Sequence, residues 1–205
     1  MEIKKGYFII TDISGYTIFL TSSELDHAHN IIQALFDSQL EVIGKPLQVS
    51  NFQGDAILCH VPEEAITEGE TLINQLNTIY TAFAKKIAEM QIDPPCGCNA
   101  CANITMLDLK MFLHYGQYLV KTVGNGEEII GSDVITVHRM MKNDVVAKTG
   151  IHSYLLMSDQ AARHLDLEAS PPKYVDYSET YEHIGKVDMF VSQLGSGKGL
   201  AFQPV

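Results

Sequence analysis

The run Tyr7-Phe8-Ile9-Ile10-Thr11-Asp12-Ile13-Ser14-Gly15-Tyr16-Thr17 constrains the fold more than any other stretch of the chain. Its apolar, β-branched first half reads as a buried strand, and Ser14-Gly15 turns the chain toward helical sequence. The strand therefore presents a carboxylate, Asp12, at its carboxyl end, beside backbone N–H groups that Ser14 and Gly15 leave approachable. That combination suits a divalent cation and the phosphate that travels with it. A second stretch, Asn51-Phe52-Gln53-Gly54-Asp55-Ala56-Ile57-Leu58, reads as the end of one strand, a tight Gly-Asp turn and the start of its hairpin partner. If the two strands are neighbours, Asp12 and Asp55 converge on one site.

The intervening sequence supplies the layers. Ser23 with Asp26 resembles a capping box, and Leu25, Ala28, Ile32, Leu35, Phe36, Leu40 and Ile43 recur with helical period until Gly44 and Pro46 stop them. After the hairpin, Pro62 opens a second helical region faced by Leu72, Leu76, Ile79, Phe83 and Ile87, ending at Asp93-Pro94-Pro95. Ile104 to His114 and Tyr118 to Val123 read as two strands joined at Tyr115-Gly116-Gln117, with a turn at Asn125-Gly126. Ile129 to Lys142 reads as a helix started by Gly131-Ser132-Asp133. Tyr154 to Met157 is a short strand, Ser158 caps a helix through His164, Pro171-Pro172 marks a loop, and Tyr181 to Leu194 is the last strand. The order strand, helix, hairpin, helix, strand predicts an α+β sandwich: a ferredoxin-like βαββαβ core with added C-terminal strands and helices. Residues 1–194 read as a single domain and residues 195–205 as a flexible tail.

Charge and cysteine usage narrow the partners. With 14 Lys and Arg against 25 Asp and Glu, the formal net charge is −11, which disfavours nucleic-acid backbone binding. No apolar run approaches the roughly 20 residues that span a bilayer, and no cleavage pattern follows the N-terminus, so the expected address is cytoplasmic. Three of the four cysteines fall in Cys96-Gly97-Cys98-Asn99-Ala100-Cys101. In a cytosolic chain such a run points to metal or redox chemistry rather than a disulfide framework. A closed zinc site needs a fourth ligand, for which the sequence offers Cys59, His60 or a group from a second subunit. The alternative is a loop of reduced thiols packed against the sheet. His27 and His29 lie two apart on a helix, do not share a face and are not read as ligands. His114 ends a strand and could face either core or solvent.

Three motifs carry a resemblance. Phe8 to Thr17 is similar to the opening motif of class III nucleotidyl cyclase domains, Gly54-Asp55-Ala56 falls where that family has its second metal aspartate, and Gly131 to Met140 resembles its glycine-to-arginine helix. The resemblance covers most of the chain and implies that Asp12 and Asp55 hold Mg²⁺ or Mn²⁺, with Ser14 and Gly15 beside the phosphates. Two such ions activate the ribose hydroxyl and stabilise the attacked phosphate. It also implies that Arg139 stabilises the developing phosphoryl charge, in a head-to-tail homodimer whose two subunits share each site. Asn51 and Glu128 fall at the base-reading positions, and Lys186 at one of two phosphate-binding lysines.

The departures are equally specific. The family's transition-state asparagine corresponds to Ile135, which can make no side-chain hydrogen bond, and the other phosphate lysine corresponds to Ile184. Losing one such oriented group costs about 10² to 10³ in rate. The expectation is a cyclase-like domain that binds a divalent metal and a nucleotide or other phosphorylated ligand, with weak or absent turnover. An active but atypical purine nucleotidyl cyclase and a non-catalytic dimerising scaffold, stapled by zinc at Cys96, Cys98 and Cys101, are the alternatives.

Overall fold

The computed structural model describes residues 2–92, 96–124, 126–167 and 174–195. The elements are β1 (Lys4–Ser14), α1 (Tyr16–Thr21), α2 (Leu25–Leu40), β2 (Gln48–Gln53), β3 (Ala56–Pro62), α3 (Gly69–Ile92) and α4 (Asn99–Ala102). They continue with β4 (Asp108–Val123), β5 (Gly126–Ile130), α5 (Ser132–Met140), α6 (Val145–Thr149), β6 (Tyr154–Ser158), α7 (Asp159–His164), β7 (Val175–Tyr181) and β8 (Gly185–Gln193).

Among the described residues the strands join one sheet in the order β2-β3-β1-β4-β6-β8-β7, and β5 pairs off β4 as a hairpin arm. The first four strands stand in the order a ferredoxin-like core requires, and β6, β8 and β7 extend it. All pairings are antiparallel except β4 with β6.

Central strands buried on both faces read as continuous apolar runs, and β1 is buried from Gly6 to Thr11. Alternation divides its side chains between two cores. Tyr7, Ile9 and Ile13 join the cluster that α2, α3 and α7 cover, through Leu35, Leu72, Leu76, Phe83 and Ala161. Phe8 and Ile10 join the cluster under α5 and α6, with Phe112, Val137, Met140 and Val145. Thr11 hands its hydroxyl proton to Gln39 Oε1 at 2.7 Å, which satisfies a polar pair inside the first layer.

Four local expectations are corrected. Helix α2 begins after Glu24 rather than from a Ser23 box. The Glu24 side chain leaves its own helix and accepts from Ala100 N and Asn99 Nδ2, both at 3.2 Å. Strand β4 runs unbroken through Tyr115-Gly116-Gln117. Gly116 is there because a Cβ would meet Asp133 Cγ at 2.2 Å, a packing demand rather than a turn. The stretch from Ile129 opens as the end of β5, and the helix starts only at Ser132. The expected strand from Tyr181 to Leu194 is β8 alone, preceded by a turn with His183 in a left-handed conformation at φ 66°, and β7, which ends at Tyr181, was not expected. The expected ends and loops at Asp93-Pro94-Pro95, Asn125 and Pro171-Pro172, and all of the tail beyond Gly195, lie outside the described residues. No helix among the described residues is long and apolar enough to cross a membrane.

Candidate functional site

Asp12 sits near the carboxyl end of β1, opposite Ala56 of β3 on one side and Lys110 of β4 on the other. The N–H of Ile13 donates to the carbonyl of Asp55 at 3.1 Å, so the residue that opens the hairpin return is locked beside the end of β1. Alternation puts Asp12 and Lys110 on the α5/α6 face, continuing the row of Phe8 and Ile10 and of Phe112.

Asp12 feels the charge of Asp55. Burial first, and the Asp55 charge second, push the Asp12 carboxyl up from 3.8 to about 6, while Lys110 pulls the other way; no hydrogen bond is among its causes. Burial also raises Asp55, offset by a bond to its own backbone. Lys110 divides its attention, its Nζ standing 5.6 Å from the centre of the Tyr154 ring. Two carboxylates brought to one strand end offer hard oxygen donors, the chemistry that a cation such as Mg²⁺ or Mn²⁺ takes. Lys110 was not singled out from sequence, although strand register alone makes it Asp12's cross-strand neighbour.

Gly15 adopts φ 85° ahead of α1, and a Cβ there would meet Met106 O at 2.3 Å; Ser14 is half-buried at the strand end. Arg139 is half-buried in the last turn of α5, and Ile135, one turn earlier on the same face, is 55% exposed. Lys186 is the second residue of β8 and its Nζ lies 2.6 Å from Asp188 Oδ1, both side chains well exposed. It lines a cleft of about 450 Å³ shared with Ser132, Asp133, Thr136 and His114. Asn51 follows a bulge in the edge strand β2 and accepts from Gln53 Nε2 at 3.4 Å. Glu128 is an exposed residue of the β5 arm, directly across from Lys121.

His114 faces inward and is 2% exposed. Its Nδ1 shares a 2.8 Å hydrogen bond with Ser158 Oγ, and its Nε2 is 3.4 Å from Asp133 Oδ1. The Ser158 hydroxyl also accepts from Ala161 N at 3.2 Å as the N-cap of α7, and Asp133 Oδ2 accepts from Gln117 N at 2.7 Å. Every polar atom of this Ser–His–Asp row is engaged in joining β4, α5 and α7. It is a satisfied network, not an activated nucleophile. The His114 contact, more than the opposing burial, holds the Asp133 carboxyl below its ordinary value.

The cysteine run finds a partner that sequence reasoning set aside. The donor atoms of His27, Cys96, Cys98 and Cys101 all lie within 4.8 Å of one another, a group that could hold a metal ion. His27 Nδ1 is 3.2 Å from Cys98 Sγ and 3.1 Å from Cys96 Sγ, and Cys96 Sγ is 3.6 Å from Cys101 Sγ. The fourth position is therefore neither Cys59 nor His60. Cys59 is buried between the sheet and α2/α3, where burial pushes its thiol up to about 12. His60 Nδ1 is 2.8 Å from Ser50 Oγ, with its ring against Tyr118.

Against solved structures the architecture is that of class III nucleotidyl cyclase domains. It matches the guanylyl cyclase Cya2 with a TM-score of 0.72 over 95% of both chains, at 11% identity. The adenylyl cyclase CyaB from P. aeruginosa gives 0.62 over 93% of this chain and 94% of that one, at 13% identity. The guanylate cyclase domain of RhGC from Catenaria anguillulae, in complex with GTP, gives 0.60 over 95% and 99%, at 14% identity. Identities this low establish a shared fold and nothing finer. Within that fold the chain belongs to the family described as protein of unknown function DUF2652, whose model matches residues 32–149. It is also 30% identical over 125 residues to "Uncharacterized protein Rv2561/Rv2562" of Mycobacterium tuberculosis; the match takes in 60% of this chain and 55% of that relative.

Proposed function

We propose that this domain binds a hard divalent cation, Mg²⁺ or Mn²⁺, together with a nucleotide or other phosphorylated ligand at Asp12 and Asp55, and turns it over weakly or not at all. The observation that carries the reading is the buried Asp12 carboxylate standing at the strand end that the Ile13–Asp55 backbone bond ties to Asp55. Burial first and Asp55 second push the Asp12 carboxyl up to about 6, against the opposing pull of Lys110. A cation favours the charged carboxylate, and its open coordination positions take phosphate oxygens. Ser14 and Gly15 border the same strand end.

Turnover needs more than a cation. The Ile135 side chain, on the α5 face it shares with Arg139, offers the transition state nothing to bond to. A second copy of the chain, placed head to tail, would deliver its Arg139 to the cation-bound phosphate. Asn51, Glu128 and Lys186 have the chemistry to read a base or hold a phosphate. In this structure, though, Asn51 and Lys186 are taken up by neighbouring side chains on their own strands.

The test pairs two readouts on the same preparation. Thermal unfolding is followed with Mg²⁺ or Mn²⁺ and ATP, GTP or pyrophosphate, and cyclic product is assayed in parallel. The reading expects a ligand- and metal-dependent rise in Tm by mass action, absent from Asp12→Asn, with product near background. Unchanged Tm across the panel refutes the site. Substantial product abolished by Asp12→Asn would instead make the protein an active cyclase, the reading favoured by retention of Asp12, Asp55 and Arg139 together.

A further inference from the structure

We propose that His27, Cys96, Cys98 and Cys101 form a structural Zn²⁺ site that pins the start of α2 to the segment following α3. The donor set is three thiolates and one imidazole, a combination characteristic of closed tetrahedral zinc. The spacing agrees. Zn–S bonds of ~2.3 Å put neighbouring sulfurs ~3.8 Å apart across a tetrahedral edge, and Cys96 and Cys101 stand at 3.6 Å. A disulfide would need its sulfurs at about 2 Å, and all four cysteines are free.

The surroundings orient the ligands. His27 turns Nδ1 toward the sulfurs, while its Nε2 faces Asp26 Oδ2 at 3.8 Å, the outer carboxylate that often fixes a ligating histidine. The backbone N–H of Cys101 points at Cys98 Sγ, 3.4 Å away, which disperses thiolate charge. Glu24 at the N-cap of α2 accepts from Ala100 N and Asn99 Nδ2, so the two segments are already laced together beside the cluster. Ala100 is fully buried, and Cys98 and Cys101 pack against the core under α2 and α3.

Metal entry is a simple exchange. Neutral His27 supplies a lone pair from Nδ1, three thiols release their protons to solvent, and Zn²⁺ with three thiolates leaves a net charge of −1. With all four positions filled by protein atoms the ion has no place for substrate. Its role is to close the chain between His27 and Cys96, which are 69 positions apart. Metal binding energy of this kind becomes folding energy.

The experiment measures zinc in the full chain purified without chelator and records the spectrum after Co²⁺ exchange. Wild type should carry one zinc per chain and show thiolate-to-cobalt charge transfer with tetrahedral d–d bands. Cys98→Ser and Cys101→Ser should lose both. His27→Cys should keep the zinc and shift the cobalt spectrum toward a four-thiolate pattern, a result that a misfolded variant cannot give. Asp12→Asn should leave zinc content untouched, which separates this site from the one proposed for phosphate. Wild-type protein without zinc or cobalt bands after reconstitution, or full zinc retained in both Cys→Ser variants, overturns the proposal.

Discussion

The amide of Ile13 reaches the carbonyl of Asp55 at 3.1 Å, and this one bond holds two acidic side chains at the rim of the sheet. Because it is a backbone bond, substituting either side chain leaves the geometry in place. Stability then reports the electrostatics directly. In metal-free buffer at neutral pH, Asp12→Asn should stabilise the protein, by up to about 3 kcal/mol for a shift from 3.8 to about 6. Chemical denaturation of the two proteins in chelator decides it, and a loss of stability would mean that the carboxylate is engaged where the structure leaves it strained.

Acid titration should separate two aspartates by sign. Asp133 is held below its ordinary 3.8 by His114. Its contribution is therefore fully present above the unfolded value and disappears as pH falls through the lower folded one. Asp12 behaves oppositely: the folded form takes up its proton first, so stability rises as pH falls from about 6 toward 3.8. Urea midpoints between pH 7 and the acid limit, for wild type, Asp12→Asn and Asp133→Asn, isolate each contribution by difference. Equal profiles for wild type and Asp133→Asn would dismiss the His114 contact as energetically idle.

Gly116 should tolerate no side chain. A Cβ there lies 2.2 Å from Asp133 Cγ and 2.4 Å from Asp133 Oδ2, so Gly116→Ala should cost about 1–3 kcal/mol, the usual penalty of overpacking. Adding Asp133→Ala removes the obstructing atoms. The double variant should then lose less than the sum of the single losses. Strict additivity would show that strand β4 relieves the clash elsewhere.

Ile135→Asn tests the damaged half of the site. The position is 55% exposed, so the substitution should change stability by less than about 0.5 kcal/mol. It restores a hydrogen-bonding group one turn before Arg139. If the metal and nucleotide bind as proposed, cyclic product should rise by about 10²-fold or more over wild type. No increase, with nucleotide binding intact, would place the missing chemistry elsewhere, with Ile184 next in line.

Local chemistry made the first half of this structure legible in sequence. An apolar run buried on both faces, a Gly-Asp turn and two periodic helices sufficed to place Asp12 beside Asp55, because antiparallel register does the rest. The reading failed where a residue's reason lay far along the chain. Gly116 looked like a turn because the demand on it comes from Asp133, across the β5 arm. His27 looked idle because histidines two apart on a helix diverge, and its companions arrive only after α3 has crossed the layer. His114 was undecided for the same cause, its partners Ser158 and Asp133 belonging to other elements.

Gly15 bears on how relatives of this chain are compared. Its positive φ and the Met106 carbonyl pressed against it already forbid a side chain. Descendants that have abandoned phosphate altogether would still be obliged to keep it. Retention of that glycine therefore tracks architecture alone, and the informative letter in the motif is the acid three places before it, which nothing in the packing compels.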